Sequence, residues 1–175
     1  MPFLELMHAY FRGERIEALC FIVPIGVAMV AFAAVTLRAE RGGFAWGLAI
    51  PLLVFGLFAI GVGAAVGLRT AGQVAAIESG FQDNPGAMVA DELPRMQKVN
   101  DSWPVYIGLW TTLVVVGLAL RFGLRADWAH GVGPAIILIG AVGFLIDGFA
   151  ERRARPYTEA LQILAAEHHL EVQAE

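Results

Sequence analysis

Cysteine is almost absent from this chain of 175 residues: Cys20 is its single thiol. That excludes an intramolecular disulfide, a CxxC redox pair and a cysteine-rich metal site, and with them thiol-oxidase chemistry. Cys20 lies inside an apolar run, where a small buried side chain is the plain reading and a reactive thiol the alternative. Lysine is as scarce, Lys98 standing beside eleven arginines, and with abundant Ala and Gly this bias points to a bacterial gene of high GC content. Charged residues make up 16% of the chain and the net charge is −4. No basic patch exists to recruit nucleic acid. Histidine is missing at membrane depth, which removes a haem held between spans. A glycine-rich phosphate loop, a nucleophile elbow and a zincin motif are absent as well. Gly42-Gly43 reads as a turn.

Apolar sequence fills the space. Hydrophobic residues make up 58% of the chain, and the mean hydropathy is +0.65. Four runs carry almost no internal charge: Ala18 to Leu37, Phe44 to Leu68, Trp103 to Leu120 and Gly131 to Phe149. A hydrocarbon core of about 30 Å needs roughly 20 apolar residues in helical form, and each run approaches or exceeds that. The expected fold is all-α: one integral membrane bundle of four transmembrane helices, residues 1–175, with short amphipathic cytoplasmic helices. Linkers of about six residues (Arg38 to Gly43) and about ten (Arg121 to His130) make two antiparallel hairpins. Arg12 and Arg15 before the first run resemble a signal peptide, with Ala31-Phe32-Ala33 at cleavage spacing, but the run exceeds an ordinary h-region and reads as an uncleaved anchor.

Three polar pieces flank the runs. Phe3, Leu4, Leu6, Met7, Tyr10 and Phe11 recur at helical spacing, predicting an interfacial N-terminal helix over 1–13 that stops near Gly13. The segment 69–102 joins the hairpins. Within it Val74, Ile77 and Phe81 form an amphipathic stripe, and Asn84-Pro85 supplies an N-cap with proline at the first helical position. Pro94 is expected to interrupt that second helix. Tyr157, Leu161 and Leu164 mark a tail helix over 150–175, expected to dock on Val74, Ile77 and Phe81. The positive-inside rule sets eight basic residues on the side of the termini against four on the other, predicting both termini in the cytoplasm of a bacterial inner membrane. Leu37-Arg38-Ala39-Glu40 matches Leu124-Arg125-Ala126-Asp127, and at the same offset Gly56 meets Gly143 and Gly61 meets Gly148. The match is either a duplication of one hairpin or chance between glycine-rich spans.

Ionisable residues inside spans are the first candidates for chemistry. Glu17 and Asp147 sit just inside the cytoplasmic ends of the first and fourth runs, at similar depth. They are expected to share one polar cluster, with Arg15, Arg69 or Arg152 as counter-charge, if the bundle closes in a ring. The alternative is that each reaches water or an arginine at the membrane edge. At the other end Arg38, Glu40, Arg41, Arg125, Asp127 and His130 lie beside Trp46 and Trp128. They could fork onto a lipid phosphate, or they anchor the hairpins as interfacial belts do. Ala59, Gly63 and Gly67 repeat every four residues along the second run and invite close helix packing. His168-His169 near Glu167 and Glu171 reads as a solvated tail.

These features lead to a non-enzymatic membrane protein acting as a binding, assembly or regulatory module. One alternative is a small oligomeric transporter or channel with a polar site at Glu17 and Asp147; another is a lipid-handling membrane enzyme. No cofactor or metal is implied. Expected partners are membrane lipids and a second copy or another membrane protein, and no nucleic acid.

Overall fold

The computed structural model describes residues 3–167, and the fold is all-α. Helix α1 (Phe3–Glu17) passes through one π-helical turn (Ala18–Ile22) into α2 (Val23–Ala39). Then come α3 (Gly43–Asp83), α4 (Pro85–Asp101), α5 (Trp103–Gly123) and α6 (Asp127–Glu167). Four continuous rods result: Phe3–Ala39, Gly43–Asp83, Pro85–Gly123 and Asp127–Glu167, each long and apolar enough to cross a membrane. Both hairpin turns occupy three residues, 40–42 and 124–126. The second is tighter than the sequence implied because Arg121 and His130 are both helical, and the Arg121 guanidinium donates to His130 Nδ1 at 2.8 Å.

The polar pieces differ from expectation in three ways. The N-terminal helix does not stop at Gly13 but runs on into the first span, and its stripe of Met7, Tyr10 and Phe11 is buried inside the protein. Pro94 sits within α4 without ending it. The helix loses one amide donor there and continues, since packing of Leu93 and Met96 in the cap holds it. The expected boundaries at Arg69 and Ala150 are likewise crossed without a break, because α3 and α6 are 41 residues each and leave the apolar zone as continuous helices. Asn84 does cap α4 as its residue type implies: its side chain accepts from Ala87 N–H at 3.0 Å, with Pro85 at the first position. His168, His169 and Glu171 lie outside the described residues.

The rods build two layers. Beyond the apolar zone, α1, α4 and the C-terminal halves of α3 and α6 assemble a four-helix cap. Its core holds Met7, Tyr10, Phe11, Ile77, Met88, Val89, Leu93, Met96, Tyr157 and Leu161, with Val74, Phe81 and Leu164 packed against it. The tail stripe and the α3 stripe therefore share one core. Fully burying a large apolar side chain contributes roughly 1.5–3 kcal/mol in water, so the cap is where the hydrophobic effect holds this fold. Among the spans the core is smaller in side chain: Met29, Ala33, Leu48, Ala49, Leu52, Ala135 and Ile139. Lipid tails are as apolar as leucine, so close backbone approach replaces hydrophobic burial as the adhesive there.

Glycine contacts reveal how the hairpins relate. A Cβ on Gly47 would strike the Trp128 carbonyl oxygen, and one on Gly131 would strike the Phe44 carbonyl oxygen. A Cβ on Gly56 would lie 2.8 Å from Gly26 O and 3.0 Å from Val30 Cγ2; one on Gly140 would lie 3.0 Å from Trp110 O and 2.8 Å from Val114 Cγ2. The members of each pair (Phe44 and Trp128, Gly47 and Gly131, Gly56 and Gly140, Gly26 and Trp110, Val30 and Val114) are 84 positions apart. The ends of the two turns obey the same spacing. The hairpins are two copies of one motif, related by a pseudo-two-fold axis between α3 and α6. The register read from sequence, which set Gly56 against Gly143 and Gly61 against Gly148, is not the one these contacts follow. The tetrapeptide match failed because Arg38 ends a helix while Arg125 belongs to a turn, so like residues do not occupy like places.

The spans follow from that axis. Helix α2 packs on α3, α3 on α6, and α6 on α5. The ring that would bring the first and fourth spans together does not close along their length. A groove separates them instead. Helix α5 is the least covered span, with Gly117 its only buried residue.

Candidate functional site

Charged residues concentrate where the spans meet the cap. Gly13 on α1 faces Arg153 on α6, and the missing side chain leaves room for the guanidinium to cross to Glu17, one turn further along. The Arg153 and Glu17 side chains are 25% and 12% exposed, so their ion pair is largely screened from water. The pseudo-equivalent arginine, Arg69 on α3, lies 3.6 Å from Glu14, also on α1. Both arginines thus tie their long helices to the first. Burial pushes the Glu14 carboxyl up, while Arg69, Arg95 and Arg153 pull the other way. Among the described residues, three buried polar atoms at this level have no partner: Glu14 Oε2, Gln73 Oε1 and Arg153 Nε.

A second network fills the middle of the cap. Glu92 is 8% exposed and accepts two bonds from Arg95, from Nε at 2.7 Å and Nη2 at 2.6 Å. The Tyr157 hydroxyl donates to the same carboxylate at 2.9 Å. Arg95 is held more firmly protonated by those Glu92 bonds. Tyr10 stacks on Tyr157 with ring centroids 5.0 Å apart. Burial, followed by the nearby carboxylates, pushes the Tyr10 phenol up to about 12 and the Tyr157 phenol higher still. Asn100 donates to Thr158 at 2.8 Å and accepts from the Trp103 indole at 3.2 Å, fastening the α4–α5 joint to α6.

The candidate residues read from sequence are distributed as follows. Glu17 and Asp147 lie at neighbouring depth but hold different partners. Glu17 pairs with Arg153, and Asp147 accepts a 2.5 Å bond from the Trp110 indole on α5. The counter-charge is neither Arg15, Arg69 nor Arg152. Arg69 serves Glu14. At the opposite end Arg38 and Arg125 are exposed and make no ion pair among the described residues. Asp127 opens α6 beside Gly43, the first residue of α3. Sequence reasoning missed Arg153, Trp110 and the Glu92–Arg95–Tyr157 set. Gly13 one turn before Glu17 was the available signal for the first, and the i, i+3 spacing of Glu92 and Arg95 for the last.

No family model matches the chain, and neither a curated protein nor a solved structure does. The four long apolar helices suggest a multi-pass membrane protein.

Proposed function

We propose that this is a non-enzymatic module of the bacterial cytoplasmic membrane that binds, assembles or regulates a membrane partner, with both termini and the cap in the cytoplasm. The observation that carries this reading is the unequal treatment of the four spans. Helices α3 and α6 are each packed on more than one side, whereas α5 packs through Gly117 on α6 and leaves its other faces outward. The cap fixes one of its ends, through Trp103 and Asn100, and the three-residue turn to α6 fixes the other. A rigidly held, uncovered span is a surface for a partner's transmembrane helix or for a second copy. The carboxylates that chemistry or transport would use already hold internal partners: Glu17 with Arg153, Asp147 with Trp110, Glu92 with Arg95 and Tyr157. The excess of basic residues at the cap supports the cytoplasmic orientation.

Photoreactive side chains at Leu109 and Val116, two exposed α5 positions, test the reading in native membranes. A discrete protein adduct at both positions is the expected result. Lipid adducts alone would count against a partner-binding span. The second reading, a small transporter or channel, draws on the parallel repeat, which some transporters share. Here the axis is occupied by backbone contact at Gly47 and Gly131. Substrate-independent silence in a proteoliposome flux assay is the expected outcome.

A further inference from the structure

The open seam between the first and fourth spans is a groove of about 490 Å³, lined by Ile16, Phe21, Ile25, Val142, Ile146 and Phe149, with Glu17 and Arg153 at its head. From Arg153 to Val142 the lining follows α6 for eleven residues, roughly 16 Å at 1.5 Å per residue. That is about half of a 30 Å hydrocarbon core, the depth of one leaflet. The groove is thus apolar along a leaflet's thickness and polar at the level of the cap.

One arginine beside its mouth stands outside the ion pairs there. Arg153 is neutralised by Glu17, and Arg155 by Glu151. Arg152 is exposed and has no ion-pair partner among the described residues. It follows Leu145 and Phe149 at helical spacing, one turn beyond the groove wall on the same face. Arg153 Nε is a buried donor without an acceptor among the described residues.

The internal repeat supplies an independent comparison. Leu145 and Phe149 form the outer wall, and Arg153 heads the groove; the residues at the same places on α3 are Gly61, Ala65 and Arg69. A Cβ on Gly61 would meet nothing within 4 Å. The two halves share the arginine and the backbone path, yet only one has a wall. The groove is bordered on its other side by the π-helical turn, in which Phe21 sits, and such turns recur at functional sites.

We infer that this groove binds one anionic phospholipid from the leaflet on the cap side, an acyl chain lying against Ile25, Val142 and Phe149 and the phosphate meeting Arg152. A guanidinium binds phosphate oxygens in a charge-assisted, forked geometry, and one arginine near the membrane surface favours an anionic lipid by about fivefold in occupancy.

The full-length protein, purified in mild detergent, would be given phosphatidylglycerol and phosphatidylcholine in equal amounts, and retained lipid read by native mass spectrometry. Wild type is expected to retain one phosphatidylglycerol in about fivefold preference. Arg152→Gln, a surface change that leaves the fold intact, is expected to bring the preference close to unity while a chain still occupies the groove. Leu145→Trp is expected to abolish the retained lipid, and Gly61→Trp, at the equivalent place in the other half, to keep it. Equal retention of the two lipids by wild type would overturn the headgroup assignment. Identical behaviour of Leu145→Trp and Gly61→Trp would overturn the groove.

Discussion

Placing an alanine at Gly131 perturbs the pseudo-two-fold crossing at its tightest point. The added methyl would meet the Phe44 carbonyl oxygen, with Leu48 N at 2.7 Å and Gly47 C at 3.1 Å. All three are backbone atoms, so no flexible side-chain end can yield and α3 must part from α6. If separation thins as many contacts as one buried leucine makes, on the order of 40, and each loses about a quarter of 0.1 kcal/mol, the loss is at least about 1 kcal/mol. Measured overpacking penalties extend to about 3 kcal/mol. Gly61→Ala is the internal control: its methyl enters open space, and alanine is favoured over glycine in a helix by about 0.5–1 kcal/mol. Gly47→Ala meets the Trp128 backbone as Gly131→Ala meets Phe44, so the two single costs should match. In the double variant the second methyl enters a crossing already opened. A coupling of about 0.5–3 kcal/mol is therefore expected, the double costing less than the two singles together. Unfolding in detergent micelles, followed by loss of helical circular dichroism, measures all four. Additive costs, or a Gly131→Ala as benign as Gly61→Ala, would refute the close crossing.

Tyr157→Phe removes a bond to a buried carboxylate and is expected to destabilise the cap by about 1.5–3 kcal/mol, read from the same unfolding assay. The raised Tyr10 phenol gives a pH dependence: stability is complete below the unfolded phenol value near 10 and falls as pH rises toward about 12, because the unfolded chain releases the proton first. A flat stability between pH 10 and 12 would contradict that burial. Arg153→Gln strands Glu17 and should cost about 3–5 kcal/mol, the range for breaking a buried pair. A double-mutant cycle should then couple Glu17 to Arg153 more strongly than to Asp147, with which it shares no hydrogen bond. A short bis-thiol reagent should join cysteines placed at Ile77 and Leu161 on a Cys20→Ala background, since both line the cap core; failure with well-behaved controls would place the tail elsewhere.

The four spans were legible because long uncharged runs have one stable form in a bilayer. Tight hairpins followed from the short linkers, and the Asn84 cap from its side chain. What escaped the sequence was continuity. Gly13 and Pro94 are helix breakers in isolation, yet both sit in rods held from outside, Gly13 by its contact with Arg153 and Pro94 by the cap core around Leu93 and Met96. The repeat register was hidden for a related reason. Equivalence is set by where helices cross, at Gly47, Gly56, Gly131 and Gly140, and not by the resemblance of two turns. The pairing of Glu17 was unreadable because depth along a helix is given by residue number, whereas the face that meets a neighbour depends on which spans touch. Four spans packed in a row leave Asp147 to Trp110, while Glu17 reaches Arg153 where α1 meets α6 at the cap.

The most direct test of the two-layer arrangement is the sidedness of single cysteines on a Cys20→Ala background, at Glu40 in the first turn, Arg125 in the second, Asp91 on α4 and Glu159 on α6. In sealed cells and inverted vesicles, an impermeant thiol reagent should reach Glu40 and Arg125 from one side only, and Asp91 and Glu159 only from the other, the cytoplasm. Labelling of Glu40 and Glu159 from the same side would contradict a cap separated from both turns by four membrane crossings.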